Sequence, residues 1–422
     1  MVQAVRGMRD VLPEEARRWR HIETLAQGVL RGFGYEEVQL PLLEFTELFA
    51  RGVGEATDIV EKEMYSLADR DGESLSLRPE GTASCVRALQ ENGLLYNQTQ
   101  RVFYSGPMFR YEKPQRGRYR QFYQIGVETF GFAGADLDAE LLQICAQLWR
   151  ALGIYDHVEL QINTLGAAGA RKAYRDALVN FLTPLQADLD EDSRRRLQTN
   201  PLRILDSKDA GTQAVLADAP KLSEYIDDDS HQHFATVLQL LDALGIAYVH
   251  NPNLVRGLDY YTHTVFEWVT GDLGAQGTIC GGGRYDGLVE LLGGRATPAS
   301  GFAMGLDRTA LLHEVVQQGQ VSRAVDVYVC YTDAALAAKA MQTGDRIRTG
   351  LRDDHGNPAK VRVHMGGGNL KKQLKRADAC GALWAVLLGS DEIENGQLTV
   401  KNLQDGQQRT EPEAAAISLM QG

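Results

Sequence analysis

The chain has 422 residues, 44% of them hydrophobic and 24% charged, as expected for a globular protein of two or three domains. Its 44 basic and 56 acidic side chains give a formal net charge of −12, which by itself argues mildly against binding of nucleic acid. The five cysteines form no Cys-x-x-Cys pair, and the N-terminus has no apolar signal stretch. We therefore expect a cytoplasmic protein with reduced thiols, no disulfide and no zinc site.

The first predicted element is a helix. Pro13 suits its first position, Glu14 and Glu15 suit its positive end, and Gly34 suits a C-terminal cap. Its apolar face recurs at helical spacing and comprises Trp19, Ile22, Leu25, Ala26, Val29 and Leu30. The run 35–45 then predicts a strand, in which a proline at position 41 marks an edge or a bulge.

The middle of the chain predicts a hairpin, a helical stretch and a second group of strands. Residues 100–110 and 121–132 read as strands around the long polar loop 111–120, and such loops tend to carry function. Residues 167–245 are charged, helical and poor in glycine, so we interpret them as an inserted helical module. Residues 254–312 return to glycine-rich strands and end in a helix.

The last hundred residues change character after a linker expected at 317–324. Strands alternate with helices, which predicts a small, mostly parallel α/β domain. The predicted elements are strand 325–331, helix 333–352, strand 360–365, helix 369–381 and strand 382–389.

Two basic runs contrast with the acidic composition. Residues 110–120 hold five cations and one acid, and residues 360–376 hold six cations and no acid. Either run alone is typical of a solvated face. Together, on an acidic body, they also suit binding of one nucleic acid at defined places.

Several common motifs are absent from the sequence. No Gly-Lys pair occurs, which excludes the usual phosphate loop, and neither Gly-Gly-Gly run has dinucleotide-loop spacing. The segment beginning at His313 has Gln317 where a zinc-protease helix needs its second histidine. His231 and His233 have no partner ligands nearby in sequence, so we expect no metal held by the protein alone.

The strand after the polar loop alternates in character. Gln124, Gly126 and Glu128 share one face, and the residues between them form an apolar face. A glycine between two polar side chains suits the floor of a pocket. An ordinary solvent-facing alternation explains the segment equally well.

Other candidate residues lie in short glycine- or tyrosine-rich segments. Glu80 either caps the helix that begins at Gly81-Thr82 or binds a cationic ligand. Arg256 is followed by Tyr260 and Tyr261, whose hydroxyls can donate and accept; the alternative for Arg256 is a structural ion pair with Asp259.

Two further segments complete the set of candidates. The run 280–288, CGGGRYDGL, allows close backbone approach to a flat ligand. The run 301–308, GFAMGLDR, is a strand leading into a helix with Arg308 at the junction, where a plain surface arginine is the alternative.

Taken in this order, the segments resemble class II aminoacyl-tRNA synthetases over essentially the whole chain. The first helix and the strand around position 41 resemble motif 1, residues 101–130 with FRYE resemble motif 2, and GFAMGLDR resembles motif 3. LVRGLDYYTHTVFEW and GGGRYDGL resemble the two segments peculiar to histidyl-tRNA synthetases. MGGGNLKKQLKRAD resembles the glycine-rich segment of that family's anticodon-binding domain. Ala303 and Asp307 depart from the usual glycine and glutamate of motif 3.

The resemblance implies an α/β fold: an antiparallel-sheet catalytic core at 1–320 with a helical insertion at about 167–245, and an anticodon-binding domain at 325–422. It also implies a homodimer, built through motif 1, that joins histidine to its tRNA. In the implied reaction, histidine and ATP form histidyl-adenylate and pyrophosphate, and the tRNA then accepts histidine. ATP is a substrate, Mg²⁺ comes with the nucleotide, and no membrane is involved.

The resemblance also implies roles for individual residues. The implied catalytic residues are Arg110, Arg256 and Arg308. Histidine would contact Glu80, Gly81, Thr82, Arg110, Gln124, Glu128, Arg256, Tyr260 and Tyr261. ATP would contact Arg110, Glu112, Phe122 and Arg308. The tRNA would contact Lys113, Gln115, Arg116, Arg118, Arg120, Asn369, Lys371 and Lys372.

Three other interpretations remain open. One is the non-catalytic, synthetase-like regulatory subunit of ATP phosphoribosyltransferase, which is expected to lack the C-terminal domain and the two histidine segments. Another is a class II synthetase for a different amino acid. The third is a tRNA-binding structural protein without activity, against which the three arginines argue.

Overall fold

The computed structural model describes residues 2–54, 57–274, 277–317, 323–352 and 356–421. The chain forms two compact units, residues 1–320 and 321–422. Most of the linker predicted at 317–324 lies outside the described residues.

The first unit is built on an eight-stranded sheet and a separate three-stranded sheet. Its strands are β1 (Glu36–Glu37), β2 (Leu43–Phe45), β3 (Tyr65–Ala68), β4 (Ser74–Leu77), β5 (Gln100–Phe109), β6 (Gln121–Phe130), β7 (Glu159–Thr164), β8 (Val249–His250), β9 (Thr262–Val269), β10 (Thr278–Arg284) and β11 (Ala299–Gly305). The large sheet has the order β1-β5-β6-β11-β10-β9-β7-β8, and the small one β2-β4-β3. Pairing in the large sheet is antiparallel except between β1 and β5 and between β7 and β8.

Helices cover and interrupt this sheet. The α-helices are α1 (Pro13–Gly32), α2 (Thr46–Val53), α3 (Thr82–Glu91), α4 (Ala135–Ala151), α5 (Ala168–Leu182), α6 (Glu191–Thr199), α7 (Ala210–Leu216), α8 (Asp228–Ala243), α9 (Leu288–Leu291) and α10 (Leu306–Val316). Shorter helical turns are Ile59–Glu63, Tyr155–His157, Thr183–Asp188, Pro201–Asp206 and Leu222–Glu224. Between β7 and β8 the chain is helical only, from α5 to α8; we call residues 168–243 the helical segment.

Helix α1 forms as its sequence predicts. Pro13 occupies the first turn, and Gly34 follows the helix with φ of +79°. The predicted apolar face packs into the main core of the first unit, where it meets α4, α10 and the large sheet. Burial of that face fixes the helix against the back of β5 and β6.

The strand predicted over 35–45 is wrong as a single element. The structure has two short strands, β1 and β2, which belong to different sheets, with exposed Pro41 between them. Proline has no amide hydrogen for a ladder, so the chain leaves the large sheet before it and joins the small sheet after it.

The second unit is a five-stranded sheet with helices. Its elements are β12 (Val327–Tyr331), α11 (Ala337–Gly350), β13 (Val361–Val363), α12 (Leu370–Ala379), β14 (Trp384–Leu388), α13 (Ser390–Glu394), β15 (Gln397–Asn402), β16 (Gln408–Pro412) and α14 (Glu413–Leu419), with a short turn of helix at Ala334–Leu336. The order is β13-β12-β14-β15-β16. The first three strands are parallel as predicted, whereas the antiparallel pair β15 and β16 was not predicted.

The α/β fold class is therefore confirmed, with a mainly antiparallel sheet in the first unit and a mixed sheet in the second. Within the described residues, no helix is both long and apolar enough to span a membrane.

Candidate active site

One cavity of about 650 Å³ in the first unit opens over the face of β6, β10 and β11. Every residue for which the resemblance implies contact with histidine or ATP lines this cavity. They are Glu80, Gly81, Thr82, Arg110, Glu112, Phe122, Gln124, Glu128, Arg256, Tyr260, Tyr261 and Arg308. The fold thus brings together side chains from separate segments of the sequence.

The floor of the cavity is centred on Glu128 of β6, whose side chain is 1% exposed. Its carboxylate accepts hydrogen bonds from the Thr82 hydroxyl at 2.7 Å, the Tyr104 hydroxyl at 3.0 Å and the Tyr285 hydroxyl. Burial raises the pKa of Glu128 to about 8, although these hydroxyls oppose the shift. The floor therefore carries a carboxyl group that titrates close to neutral pH.

Glu80 serves as the N-terminal cap of α3. Its carboxylate accepts the backbone amides of Thr82 at 2.7 Å and Ala83 at 2.9 Å. Burial raises its pKa, against the effect of both amides. Of the two interpretations of Glu80, the structure shows capping, and the same carboxylate also borders the cavity.

Arg110 is anchored where β5 ends. Its Nε donates to the carbonyl oxygen of Pro79 at 2.9 Å, and its guanidinium lies 5.2 Å from the centre of the Phe122 ring. Burial lowers the pKa of Arg110, because the charged form loses solvent. The side chain lines the cavity, where the planar fork of its guanidinium suits a phosphate group.

Arg256 pairs with Glu267 of β9, and its guanidinium lies 5.6 Å from the centre of the Tyr261 ring. Its predicted alternative partner, Asp259, contacts Arg171 and Asn200 instead. The structure thus excludes the Arg256–Asp259 ion pair. Arg256 faces the cavity, and Asp259 lies outside its lining.

The glycines of β10 make room for this arginine. A Cβ atom on Gly281 would lie 2.7 Å from Nη1 and Nη2 of Arg256. A Cβ atom on Gly282 would lie 2.2 Å from the carbonyl oxygen of Gly301 on the next strand. The missing side chain of Gly281 therefore leaves space for the Arg256 guanidinium against β10, whereas that of Gly282 allows β11 to pack closely against β10.

Arg308 lies at the start of α10, as its position in GFAMGLDR predicts. Its Nε donates to the carbonyl oxygen of Gly117 at 3.0 Å, and its Nη1 donates to that of Thr278 at 2.8 Å. It thus connects the polar loop to β10 at the rim of the cavity. Burial lowers the pKa of Arg308, and the nearby arginines 118 and 110 act in the same direction.

Asp307, the shorter residue in place of glutamate, has a structural role. Its carboxylate accepts the backbone amide of Tyr123 at 2.8 Å and a hydrogen bond from Arg9 at 3.1 Å. Burial raises its pKa. Asp307 therefore holds α10, β6 and the N-terminal segment together.

The five predicted tRNA-contacting residues of the polar loop differ in their environments. Lys113, Gln115 and Arg116 are exposed. Arg118 is also exposed, but it pairs with Glu112 and lines the cavity. Arg120 is half-buried: it lies over the ring of Tyr111 at 3.6 Å and donates to a main-chain carbonyl of the N-terminal segment. Of these five, the first three are therefore the ones fully presented to a partner.

The family model for histidyl-tRNA synthetase matches residues 7–309. The chain belongs to the histidyl-tRNA synthetase family. A second model, for an anticodon binding domain, matches residues 326–421. The chain is also similar to the apo histidyl-tRNA synthetase of S. aureus, with 33% identity and a TM-score of 0.79 over 100% of both chains.

Two more distant structures show the same fold. The histidyl-tRNA synthetase of Nostoc sp. PCC 7120 is 19% identical with a TM-score of 0.73, over 99% of this chain and 98% of that one. A Bacillus halodurans C protein described as an ATP phosphoribosyltransferase regulatory subunit/histidyl-tRNA synthetase is 20% identical with a TM-score of 0.66, over 92% of this chain and 99% of that one. Because this match covers 92% of the chain, it extends into the second unit. The C-terminal domain that regulatory relatives are expected to lack therefore does not separate this chain from that protein.

The family's glycine-rich segment lies in the second unit. Gly366, Gly367 and Gly368 all have positive φ and lead into α12, where the Asn369 side chain accepts the backbone amide of Lys372 at 3.0 Å. Asn369 thus already satisfies one amide of the helix terminus. The cationic side chains of α12 at positions 371, 372, 375 and 376 are exposed.

Several residues that line the cavity were not predicted. Tyr104 lies opposite Gly126 across the β5–β6 ladder, and a Cβ on Gly126 would strike its ring. The register of the predicted hairpin could therefore have placed Tyr104 beside the cavity. Tyr285 stands in the quoted GGGRYDGL segment. Glu267 stands in the quoted LVRGLDYYTHTVFEW segment. No motif pointed to Asp58, Glu63, Arg196, Arg203 and Lys208.

Metal ligation by the protein alone has no structural support among the described residues. They contain no group of three or more His, Cys, Asp or Glu side chains that could hold an ion. Two carboxylates of the cavity, Glu112 and Glu267, are paired with Arg118 and Arg256. Either carboxylate would therefore have to give up its arginine in order to hold an ion.

Proposed function

We propose that this chain is a histidine–tRNA ligase. It activates L-histidine with ATP to histidyl-adenylate and pyrophosphate, and then transfers histidine to the 3′ end of its tRNA. The observation that carries the proposal is the convergence of Arg110, Arg256 and Arg308 on one cavity whose floor is the buried carboxyl of Glu128.

The first step is in-line attack by the histidine carboxylate on the α-phosphorus of ATP, with pyrophosphate leaving. Arg110 and Arg256 reach the cavity from different elements, the end of β5 and the loop before β9. They stabilise the negative charge on the α-phosphoryl oxygens, and Arg308 holds the γ-phosphate. Mg²⁺, bound with the nucleotide, neutralises further phosphate charge.

The substrates are aligned by the rest of the cavity lining. Phe122 stacks on adenine. The Arg110 guanidinium lies 5.2 Å from the centre of the Phe122 ring and so borders the same part of the cavity. Glu112 belongs to the nucleotide half of the cavity. The amino-acid half comprises Glu80, Gly81, Thr82, Gln124, Glu128, Tyr260 and Tyr261. Alignment of this kind accounts for much of the rate of phosphoryl chemistry.

Selection of histidine follows from the polar floor. Imidazole has two ring nitrogens that need partners, and Glu128 and Gln124 offer a carboxyl and an amide on the same face of β6. A site that hydrogen-bonds its substrate leaves buried polar groups unpaired when an analogue lacks the matching atoms. Such sites discriminate by about 10⁴-fold or more.

The tRNA contacts lie in two places on the chain. The exposed residues 113, 115 and 116 of the polar loop approach the acceptor end, and the exposed lysines of α12 together with Asn369 contact the anticodon region. Arg118 and Arg120 belong to the same loop. The positive charges of the polar loop and of α12 complement the phosphate groups of tRNA, although the chain as a whole has a net charge of −12.

Pyrophosphate exchange into ATP, measured with each of the twenty amino acids in turn, tests the proposal. Histidine alone should support exchange, and aminoacylation of total tRNA with labelled histidine should follow. The Bacillus halodurans relative motivates the second candidate, a regulatory subunit. A chain that binds histidine but supports exchange with no amino acid would favour that candidate.

A further inference from the structure

The loop between β8 and β9, residues 251–261, carries three residues of the proposed amino-acid site but little regular structure of its own. Arg256, Tyr260 and Tyr261 all line the cavity from this loop. The first part of the loop is tied to β7. The Asn251 amide donates to the carbonyl of Ile162 at 3.0 Å, and the Asn163 side chain donates to the carbonyls of Pro252 at 3.2 Å and Leu254 at 3.0 Å. Its remaining path needs contacts from elsewhere, because ordering a loop costs conformational entropy.

One such contact is the Asp259 amide, which donates to the carbonyl of Val53 at 3.3 Å. The helical segment supplies others through Arg171 of α5. The guanidinium donates to the carbonyl of Asp259, to that of Tyr261 at 3.2 Å, and to the Asp259 carboxylate at 3.4 Å. Two main-chain acceptors and one charged acceptor thus converge on one side chain that is 19% exposed. Hydrogen bonds of this charged kind are about twice as strong as neutral ones.

Two more side chains of the helical segment hold the same loop. The Asn200 amide donates to the Asp259 carboxylate at 3.1 Å. The Arg203 guanidinium lies against Gly257, where a Cβ would be 2.9 Å from its Nη1. Three successive parts of the helical segment therefore contact positions 257–261.

Arg171, Asn200 and Asp259 do not line the cavity themselves. Arg171 and Asn200 contact the loop that carries Arg256, Tyr260 and Tyr261, and through that loop they can act on a ligand. The nucleotide half of the cavity is attached elsewhere: Phe122 is on β6, and Arg308 is on α10. The hydrogen bonds of Arg171 described above reach neither element.

We propose that Arg171 and Asn200 are positioning residues for the amino-acid half of the cavity. By gripping Asp259 from the helical segment, they fix the main chain that presents Arg256 and the tyrosine pair, and so set the affinity for histidine. This inference rests on the proposed function. It gives the helical segment a role in amino-acid binding that needs no contact with the amino acid.

The test is kinetic and uses the full chain. Arg171→Ala should raise the KM for histidine about tenfold in pyrophosphate exchange, as expected for loss of charge-assisted hydrogen bonds, and should lower kcat because Arg256 is presented less well. The KM for ATP should be nearly unchanged, because Phe122 and Arg308 are attached elsewhere. Arg171→Lys, which keeps a charged donor, should recover part of the affinity. Arg175→Ala is the matched control, since Arg175 lies one turn further along α5, is exposed and pairs with Asp176.

A second measurement does not depend on catalysis. Hydrogen exchange of the peptide that covers 253–261 should be faster in Arg171→Ala than in the wild type, and unchanged in Arg175→Ala. Asp259→Asn combined with Arg171→Ala should cost less than the sum of the two single changes, because both remove the ion pair between these side chains.

The outcomes separate the inference from the function on which it rests. An unchanged KM for histidine with unchanged exchange of 253–261 would overturn the inference, and so would an equal rise of both KM values with faster exchange throughout the first unit. If the wild type supports no pyrophosphate exchange, the proposed function fails, and hydrogen exchange still decides whether Arg171 holds the loop.

Discussion

The Glu128 carboxyl shows how burial changes the chemistry of a single residue. Burial raises its pKa to about 8 from an ordinary 4.5. Between these two pH values the folded chain binds a proton that the unfolded chain has released. The protonated Glu128 carboxyl therefore makes its full contribution to the free energy of unfolding below about pH 4.5, and this contribution is lost as the pH rises through about 8.

Glu128→Gln should remove this pH dependence. The free energy of unfolding of the ligand-free wild type should fall relative to the variant as the pH rises from 5 to 8, at up to about 1.4 kcal/mol per pH unit, as for release of one proton. Urea denaturation at a series of pH values measures the difference. The same pH profile for both proteins would show that Glu128 does not titrate in this range. The variant should also use histidine poorly while binding ATP normally.

Neighbouring glycines on β10 should respond differently to one methyl group. Gly281→Ala should displace the Arg256 guanidinium and lower kcat for pyrophosphate exchange by roughly a hundredfold, in the range found for removal of one group that stabilises developing charge. Gly282→Ala should instead destabilise the fold, since its Cβ would meet the main chain of β11. Exchange kinetics and thermal melting of both variants distinguish these effects. Equal loss of stability in the two variants would contradict the inference that Gly281 makes space for the Arg256 guanidinium.

At the scale of elements, the local sequence pattern was sufficient to predict which side chains face the cavity when they lie on one regular strand. The alternation in β6 placed Gln124 and Glu128 on the cavity side because side chains alternate strictly along a strand. The same reasoning failed around Pro41, where membership of two sheets depends on distant partners. Arg196 and Lys208 were missed for a related reason: how the helical segment folds back to the cavity is a tertiary property that no local spacing encodes.

The exposed lysines of α12 allow a prediction for this element. Lys371→Ala and Lys372→Ala should each weaken tRNA binding, because each removes a cation that can neutralise a phosphate. Each change should also flatten the plot of log K against log salt concentration by about one unit if its lysine meets one phosphate. Filter binding across a salt series measures the slope. Lys339→Ala, an exposed lysine on α11 of the same unit, is the control. Unchanged slopes in the α12 variants would place the tRNA elsewhere.

At the scale of the whole molecule, the cavity lies within the first unit, and α12 lies within the second. Deletion of 325–422 should therefore preserve pyrophosphate exchange in part, while tRNA charging falls by roughly a hundredfold because the cations of α12 no longer neutralise tRNA phosphates. Both activities are to be measured on one truncated sample whose folding is checked by circular dichroism. Equal damage to both steps would mean that the second unit acts only through stability.

The small sheet predicts how the molecule associates. The side chains of Leu42, Leu43, Phe45 and Leu67 on or beside this sheet are 42–58% exposed, which is an unusual concentration of apolar surface. We expect a two-fold dimer that buries this sheet and the neighbouring Pro41. Light scattering should give a dimer at micromolar concentration, and Phe45→Glu should shift it towards monomer. A fully active wild-type monomer would refute this expectation.

The close approach of Gly281 to Arg256 also has a consequence for how related sequences diverge. While the arginine is present, even the smallest side chain at position 281 displaces its guanidinium, since a Cβ there would lie 2.7 Å from it. Once a lineage gives up the arginine, that restriction ends, although the one on Gly282 persists. Regulatory descendants of such enzymes should therefore lose the two residues together, and the pair can be inspected in any sequence before a protein is made.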